Sequence, residues 1–523
     1  MRNALLPPYS LPRRPFLRAS VCGMAILWAT ASCGPAGNAV DSESGVQEIP
    51  THQVDRAAGG MVSAAHPLAT AAGVRILEMG GNAADAALAA GFAISVVEPS
   101  MNSIGGRNQI LVRTGDGEVF GVDGTTQAPL TYDPETAPQA SYGYPTVGIP
   151  GALAGLFALY DAMGTLPLDA IMSPAIEYAE EGYHMLPGAA RRHEMAAEQL
   201  AEFEGSRVHF LKADGTPYQA GELFVQPDLA ATLRAIRDGG REVFYQGEIA
   251  ARMAEDIQAN GGAVTMESLA QYEAVPPIVV HGRYRGYDLT GTYVPAAGAT
   301  TIQILQVLDH FDMASMDEFQ WAAVVSQAMR FGFQGSYRDA AAGDAEAALA
   351  ITSPDAAAEI AARIVVPEPA AMPAAASRGR EVPVLAAADP ASAQGVGLDD
   401  WIARQHHTTH LSTADESGMM VALTQTIGPN MGSKVATPGL GFLYAATLGG
   451  YLGDLEPGER ARSAISPILV SRDGEPFMVL GAAGGGRIPP AVLQTIIRVI
   501  DQGMSLEDAL AAPRLYARDE GEV

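Results

Sequence analysis

The chain has 523 residues, of which 48% are hydrophobic, so it can bury a sizeable core in one large domain or in two or three ordinary ones. Its net charge of −27 argues against nucleic-acid binding, because an acidic surface repels phosphate backbones. That charge indicates a solvated acidic surface, and the 57 glycines and 35 prolines indicate many turns in a globular chain.

The first 33 residues are typical of an export signal. Basic residues in RRPFLR precede the apolar stretch ASVCGMAILWATAS, which is too short to span a bilayer comfortably. The stretch ends at Ala31-Ser32-Cys33, which resembles a bacterial lipoprotein signal, although Thr30 stands where leucine is usual. The only other cysteine is Cys22, so a mature chain starting at Cys33 has no internal disulfide. We favour a periplasmic or outer-membrane-anchored lipoprotein over an ordinary cleaved signal with an incidental cysteine.

Residues 34–59 are predicted to form a tether, because they are rich in small and charged residues without periodicity. An α/β pattern begins at residue 60 with the short strand MVSAA. Apolar residues at helical spacing follow, and Gly80-Gly81 end the first helix. The segment QILVRTGDGEVFGVDG predicts a β-hairpin.

The remaining elements are predicted from the same periodicities. Residues 151–260 and 300–335 are expected to be mostly helical, with strands between them in PIVVHGRYRGYDLTGTY. Residues 337–407 are rich in alanine, proline and acids, which predicts a partly mobile segment with one helix near residues 355–364. Strands are then predicted at 407–415, 418–427 and 466–481, and helices at 489–503 and 505–511.

The strand at residue 407 opens with the pair Thr408-Thr409 directly after the segment predicted to be mobile. A threonine hydroxyl is a weak nucleophile unless a base lies beside it, and a free α-amine with a pKa of roughly 7.7–8.0 can be that base. Self-cleavage before Thr408 would therefore give one residue both nucleophile and base. By itself the pair also fits an ordinary strand, in which β-branched residues are common.

Glycine-rich turns are the second candidate feature. In GAAGGGRI, residues 481–488, consecutive backbone N–H groups can point at one spot and form an oxyanion hole, or the segment can be only a tight strand-to-helix turn. The turns GIPGALAG and NSIGGRN are less specific. We find no metal signature and expect no cofactor, because His406, His407 and His410 straddle the proposed cleavage point.

Several motifs together resemble the gamma-glutamyltranspeptidase family of N-terminal nucleophile hydrolases, from about Gly60 to Arg514. They are MVSAAHPLATAAGVRILEMGGNAADAALAAGFAISVVEP, GIPGALAGLFALYDAMGTLPLDAIMSPAIEYAEEGY, FYQGEIAARMAEDIQANGGAVTMESLAQYEA, TTHLSTADESGMMVALTQTIG, SAISPILV and GAAGGGRI. The resemblance implies an α+β fold, a four-layer αββα sandwich, in which a catalytic threonine opens a strand between helical layers.

The resemblance also implies a precursor that cleaves itself between His407 and Thr408. A large subunit of residues 60–407 and a small catalytic subunit of residues 408–523 would stay associated. Thr408 would attack the carbonyl of a small-molecule amide or gamma-glutamyl substrate. Thr426 matches the family threonine that bonds to the nucleophile, and Ser463 matches a serine that contacts the substrate carboxylate region. Gly484 and Gly485 match the oxyanion glycines.

The chain departs from the family at the substrate head group. Thr125 stands where the family has an arginine for the substrate α-carboxylate, and Gly450 stands where it has an acid for the α-amine. Gly428 replaces an asparagine and Ala464 replaces a second serine. Losing two charge-assisted contacts of about 1.5–3 kcal/mol each predicts poor binding of gamma-glutamyl groups. The sequence therefore favours a self-processing amidohydrolase or acyltransferase with altered acyl specificity.

Two other interpretations stay open. Arg107 interrupts the family's glycine-rich loop, and it could supply a replacement positive charge, which would make the protein a true glutathione hydrolase or gamma-glutamyltransferase. It could equally be a surface arginine on a loop. An interpretation of another class is a lipid-anchored binding protein that keeps the fold without catalysis.

Overall fold

The computed structural model describes residues 59–334, 344–369, 407–452 and 455–517, which all fall within a single compact unit. The predicted export signal, Cys33 and nearly all of the predicted tether lie outside these residues, and so does most of the segment before residue 407. The subunit boundaries stay predictions. Within the described ranges no helix combines the length and the apolar character that a membrane span requires.

Two antiparallel sheets carry most of the strands. The five-stranded sheet has the order β1-β8-β9-β2-β3, the four-stranded sheet has the order β11-β10-β7-β6, and β4 pairs with β5. The strands are β1 (Gly60–Ala64), β2 (Arg107–Arg113), β3 (Val119–Gly124), β4 (Tyr183–His184), β5 (Leu223–Phe224), β6 (Val279–Tyr284), β7 (Tyr287–Thr292), β8 (His407–Asp415), β9 (Met420–Gly428), β10 (Ile468–Arg472) and β11 (Glu475–Leu480).

Helices flank both sheets. They are α1 (Pro67–Glu78), α2 (Ala83–Val97), α3 (Ala152–Met163), α4 (Leu168–Glu181), α5 (Pro187–Ala201), α6 (Glu204–Phe210), α7 (Pro227–Tyr245), α8 (Glu248–Ala259), α9 (Met266–Ala270), α10 (Gly298–Leu308), α11 (Glu318–Gln334), α12 (Ala345–Ile351), α13 (Pro354–Ala361), α14 (Ile488–Ile500) and α15 (Leu506–Ala511).

Helix α2 lies at the centre of the first helical layer. It begins with a capping box, in which Asn82 and Asp85 each bond to the other's backbone N–H, and this arrangement satisfies two amides at the helix start. Every residue of α2 is buried, as expected for a helix that is apolar on all sides. It packs on α1, α4 and the central strands β8 and β9, so it fixes the back of the five-stranded sheet.

The two sheets stack on each other, and a second helical layer covers the four-stranded sheet. Leu111, Ala422 and Leu469 form an apolar cluster between the sheets. A separate core joins the four-stranded sheet to α10, α11, α13 and α14. The order of layers is therefore helices, sheet, sheet and helices, which confirms the αββα arrangement predicted from the sequence.

Two details differ from the sequence predictions. The segment 466–481 is a hairpin of two strands, β10 and β11, because the turn at Asp473-Gly474 has positive φ at both residues. The helix predicted near residues 355–364 is α13, and a further short helix, α12, precedes it. Asp344 caps α12, with its side chain accepting from the Ala347 N–H.

Candidate active site

Thr408 is the second residue of β8 and is buried, with 4% of its surface exposed. His407 pairs with Gly428 of β9, whereas Thr409 pairs with Gln425, so one residue of β8 faces two residues of β9. A bulge of this kind interrupts the regular alternation of side chains and can re-aim one of them. The predicted strand start at residue 407 is thus a distorted one, and the distortion falls on Thr408.

The Thr408 hydroxyl and the peptide bond before it share one hydrogen-bond partner. The Thr408 Oγ1 donates to the Thr426 Oγ1 over 3.2 Å, and the Thr426 hydroxyl donates in turn to the carbonyl oxygen of His407. The Gly428 N–H donates to the same Thr426 oxygen over 3.0 Å, which fixes the direction of the hydroxyl. Thr426 therefore touches both the candidate nucleophile and the carbonyl of the His407–Thr408 peptide.

No titratable side chain in the described ranges contacts the Thr408 hydroxyl. His410, two residues further along β8, is committed elsewhere: its Nδ1 lies 2.8 Å from the Thr424 Oγ1 and its Nε2 lies 2.9 Å from the Ser412 Oγ. Desolvation lowers the pKa of His410 to about 3, so the ring is neutral at physiological pH. The base for the Thr408 hydroxyl must therefore be a group other than His410. The α-amine of Thr408, which cleavage would free, would meet this need.

The glycine-rich segment lies between β11 and α14, as predicted. Gly484 and Gly485 have φ of 122° and 57°, a backbone region that favours glycine. Neither N–H donates to another described residue, so both amides are available to a ligand. At the start of the segment Gly481 lies against His410, where an added Cβ would come within 2.4 Å of the ring. The segment thus begins beside the strand that carries Thr408.

Arg107 is a strand residue and not a loop residue, so the alternative of a surface arginine on a loop is wrong. It opens β2, pairs directly with Thr426 of β9 and is only 3% exposed. Residues that pair across antiparallel strands point to the same face of the sheet. The guanidinium makes two long contacts, from Nη1 to the Thr126 Oγ1 at 3.4 Å and to the Ala446 carbonyl at 3.5 Å.

Thr125 and Gly450, the two positions that depart from the family pattern, are both constrained by their surroundings. Thr125 is buried, and its hydroxyl accepts from the Gln109 Nε2 over 3.1 Å. Gly450 has φ of 88°, and a Cβ there would lie 2.3 Å from the Gln139 Oε1. An acid at residue 450 would therefore be strained. Gly428, which replaces an asparagine, also has a left-handed φ, of 93°.

Ser463 lies in the segment that leads into β10, two residues after Ala461, whose N–H donates to the Thr126 carbonyl over 2.8 Å. Its N–H donates to the Pro295 carbonyl over 2.7 Å, and its hydroxyl accepts from the Ile465 N–H over 3.3 Å. Ala464 is 7% exposed and belongs to the core of the second layer, so no hydroxyl is presented there. No hydrogen bond among the described residues joins Ser463 to Thr408, so the role of Ser463 stays a prediction.

Sequence reasoning missed two residues of this region. Gln109 lies two residues beyond Arg107 on the same face of β2, and its Oε1 has no hydrogen-bond partner within the described chain. Tyr451 lies against Gly428 and interacts electrostatically with Arg107. The sequence carried a signal for Gln109: three polar residues, 107–109, open a strand whose next three residues are apolar.

A cavity of about 560 Å³ lies elsewhere, on β6, α10 and the α12–α13 region, and shares no residue with the Thr408 region. It is lined by charged and polar groups that include His281, Asp309 and Gln306. Across the described ranges no group of three or more His, Cys, Asp and Glu side chains is arranged to hold a metal ion.

Comparison with known proteins gives the family. Residues 69–520 match the sequence profile described as Gamma-glutamyltranspeptidase. The chain belongs to the gamma-glutamyltranspeptidase family. It is 31% identical to the glutathione hydrolase proenzyme of Escherichia coli K12, over 96% of this chain and 88% of that protein. It is 33% identical to the acylase ACY 1 proenzyme of Pseudomonas sp. strain V22, over 87% and 82%.

A solved structure supports the fold. The cephalosporin acylase of Bacillus halodurans superposes with a TM-score of 0.74 at 26% identity, over 92% of this chain and 88% of that one. The fold is therefore the αββα sandwich of the N-terminal nucleophile hydrolases, as the sequence resemblance implied. The family includes relatives named as glutathione hydrolases and relatives named as acylases, and their identities to this chain differ by too little to choose between them.

Proposed function

We propose that this protein is an exported, self-processing amidohydrolase or acyltransferase whose nucleophile is Thr408. One observation carries the proposal: the Thr426 hydroxyl joins the Thr408 hydroxyl to the carbonyl of the peptide bond before it. A hydrogen bond to that carbonyl polarises its carbon for attack by the adjacent hydroxyl. The names of the relatives quoted above, both proenzymes, agree with a precursor.

In the processing step the Thr408 Oγ1 attacks the carbonyl carbon of His407. The C–N bond to Thr408 breaks, the hydroxyl proton passes to the departing nitrogen, and an ester links the His407 acyl group to the Thr408 oxygen. One water then hydrolyses the ester. The products are a large subunit that ends at His407 and a small subunit that begins with the free α-amine of Thr408.

In turnover the new α-amine takes the proton of the Thr408 hydroxyl. The oxygen attacks the amide carbonyl of a substrate, the amine leaves with a proton, and an acyl-enzyme forms at Thr408. Water releases the acyl group in hydrolysis, and a second amine releases it in transfer. Gly484 and Gly485 are proposed to hold the developing oxyanion with their unengaged N–H groups, and Ser463 to contact the substrate.

Altered acyl specificity is the finer part of the proposal. The conformation of Gly450 disfavours an acid there, and Thr125 is occupied by its bond to Gln109, so neither can replace the usual charge partners of an amino-acid head group. The second candidate function, a true glutathione hydrolase, has one observation in its favour: Arg107 lies buried next to Thr426 and could bind a carboxylate.

The test of the proposed function is processing and activity in matched variants of the full chain. Thr408→Ala should run on a denaturing gel as one intact chain and hydrolyse no amide. The control is Thr409→Ala, the same change one residue along, where the hydroxyl bonds to Glu98 over 2.8 Å. It should give two fragments. Two fragments from Thr408→Ala would eliminate Thr408 as the nucleophile. An intact and inactive wild-type chain would instead support the non-catalytic binding protein.

Export and anchoring are proposed on the sequence pattern alone. We expect the mature protein to be attached to a membrane through lipid on Cys33, with the catalytic sandwich in the periplasm. In a Gram-negative host, labelled palmitate should appear in the wild-type protein and be absent from Cys33→Ala. A labelled Cys33→Ala protein, or a wild-type protein recovered unlabelled, would contradict the anchor.

A further inference from the structure

The cavity of about 560 Å³ runs along the outer edge of the four-stranded sheet. The strand order β11-β10-β7-β6 leaves β6 paired on one side only, with β7, among the described strands. Three consecutive residues of β6, His281, Gly282 and Arg283, line the cavity. Because successive side chains of a strand point to opposite faces, three neighbours share one cavity only where it follows the edge of the strand.

The turn that joins β6 to β7 fixes the direction of the backbone groups along this edge. Arg285 and Gly286 have φ of 51° and 80°, the pattern of a type I′ turn, and Tyr284 pairs with Tyr287 on either side of it. In such a two-residue hairpin the residues that flank the turn exchange both of their backbone hydrogen bonds. The N–H and C=O of Tyr284 therefore point toward β7.

The unpaired backbone groups of β6 face the cavity. Bonded and non-bonded pairs alternate along antiparallel strands, so Gly282 bonds toward β7 as Tyr284 does. His281 and Arg283 consequently direct their N–H and C=O groups outward, and neither has a backbone partner on that side within the described chain. One wall of the cavity thus presents two donors and two acceptors at the spacing of a strand.

The opposite wall carries a side chain with the same polar groups as a peptide bond. Gln306 of α10 lines the cavity and is only 8% exposed, and its Oε1 has no hydrogen-bond partner among the described residues. The amide lies over the edge strand, since a Cβ added to Gly282 would come within 3.1 Å of this oxygen. Buried polar side chains are nearly always hydrogen-bonded, so the amide of Gln306 suits a ligand that supplies a partner.

The charged groups of the cavity already have partners. Asp309 accepts from the Arg285 N–H over 2.9 Å, and Asp288 pairs with the Arg283 guanidinium at 3.0 Å. Apolar surface completes the lining, from Leu289, Pro354 and Ala357. The cavity is therefore suited to a ligand that is recognised through its amide groups and not through a charge.

We propose that this cavity binds a short peptide in extended conformation, which adds to the outer edge of β6 as a further strand. The N–H and C=O groups of the peptide bond to His281 and Arg283, and an adjoining peptide amide bonds to Gln306. Strand addition takes its affinity from main-chain hydrogen bonds, so the site accepts many side chains. A volume of about 560 Å³ holds a few residues. The site shares no residue with the Thr408 region, so the inference stands apart from the proposed function.

The probe is N-acetyl-tetraalanine amide, which is uncharged and has only methyl side chains. Titration calorimetry on the purified wild-type protein should give one site with a Kd of roughly 10 µM to 1 mM, the range expected for a ligand of this size. The matched probe has every backbone nitrogen methylated and so lacks these N–H donors. It should bind at least about 10-fold more weakly. Equal binding of the two probes, or no binding of the first, would overturn the proposal.

Substitution of Arg283 assigns the binding to the edge of β6. Arg283→Pro removes an outward N–H, and proline is tolerated in an edge strand where the N–H faces away from the sheet. Affinity should fall by about 10-fold or more. Arg283→Ala is the control, because it loses the same side chain and its exposed ion pair with Asp288 but keeps the N–H. Its affinity should stay within about 3-fold of wild type. Equal losses in both variants would overturn strand addition.

Gln306→Leu tests the opposite wall and leaves the backbone of β6 unchanged. Loss of the amide should weaken binding by about 5- to 10-fold. Hydrogen exchange on the wild-type protein locates the probe directly: residues 279–284 should exchange more slowly when it is bound, whereas β11, the other edge of the same sheet, should exchange as before. Protection of β11 without β6, or undiminished binding in both Arg283→Pro and Gln306→Leu, would place the peptide elsewhere and overturn the proposal.

Discussion

The Thr426 hydroxyl accepts a hydrogen bond from the Thr408 hydroxyl across the bulge that opens β8. Because the same Thr426 hydroxyl donates to the His407 carbonyl, Thr426 is placed to assist the first attack, on the chain itself. The Gly428 N–H donates to the same Thr426 oxygen and so helps to orient the hydroxyl. This arrangement leads to a prediction about processing.

We predict that Thr426→Val slows self-cleavage by about 10- to 100-fold, because one hydrogen bond that polarises the carbonyl is lost. Thr426→Ser keeps the hydroxyl and should process at a rate closer to wild type. The measurement is the time course of the two fragments after synthesis. Thr424→Val, on the same face of β9 but bonded to His410, is the control. Equal rates for Thr426→Val and wild type would remove Thr426 from the mechanism.

A second prediction concerns the glycine segment. Gly485→Val should reduce turnover by about 10²- to 10³-fold, the usual effect of losing one oxyanion donor, because a β-branched residue cannot hold φ of 57°. Gly503→Val is the matched control: its φ is 61°, a Cβ there meets nothing within 4 Å, and it lies in the turn after α14. If both variants lose turnover equally, backbone strain and not a lost donor explains the effect.

A third prediction concerns restoration of the family head-group site. Thr125→Arg alone should lower the melting temperature, because Thr125 is 2% exposed and a second guanidinium would lie near Arg107. Arg107→Gly combined with Thr125→Arg should recover part of the loss, since the two charges no longer repel each other. The check is a double-mutant cycle on the free energy of unfolding, and simple additivity would argue that the two side chains do not meet.

Stability should fall in acid because buried histidines, His66 and His193 in addition to His410, are kept neutral. Burial lowers the pKa of His66 and of His193 to about 4, below the value of about 6.5 in an unfolded chain. Their contribution is therefore fully present above pH 6.5 and is lost as the pH falls toward 4. At pH 5 the loss is about 2 kcal/mol for each histidine.

The measurement is denaturant unfolding at pH 7.5 and pH 5 for wild type and His193→Phe. The ring of His193 packs edge-on against Phe210 and Phe224, so phenylalanine can keep the aromatic contacts while it removes the titration. The variant should lose less stability between the two pH values than the wild type. An identical pH dependence would show that His193 is not held neutral by the fold.

The sequence predicted the strands that carry the site because their signals are local. Alternation of apolar residues marked β2, β3, β8 and β9, and 3.6-residue spacing marked the last helices. The αββα layering came from the family resemblance, since periodicity alone indicated only a mixed α/β or α+β chain. The hairpin in residues 466–481 was missed although its signal is local: the dipeptide Asp473-Gly474 separates two apolar runs, which is typical of a hairpin turn.

The environment of Arg107 could not be predicted from the sequence. Its neighbours Thr126, Ala446 and Thr426 are far apart in the chain, and the strand register that brings them together depends on the whole sheet. A charged residue after two glycines is typical of a loop, so the sequence left a surface position open. Burial of the guanidinium is a tertiary effect that overrides this local preference.

The most direct test of the central claim is chemical trapping of the acyl-enzyme. The purified wild-type protein would be mixed with glutaryl-p-nitrophenyl ester, quenched in acid during turnover and digested for mass spectrometry. The account predicts a small subunit that begins at Thr408 and carries the glutaryl group on that residue. An adduct on another residue, or no adduct while nitrophenol is released in a burst, would contradict Thr408 as the nucleophile.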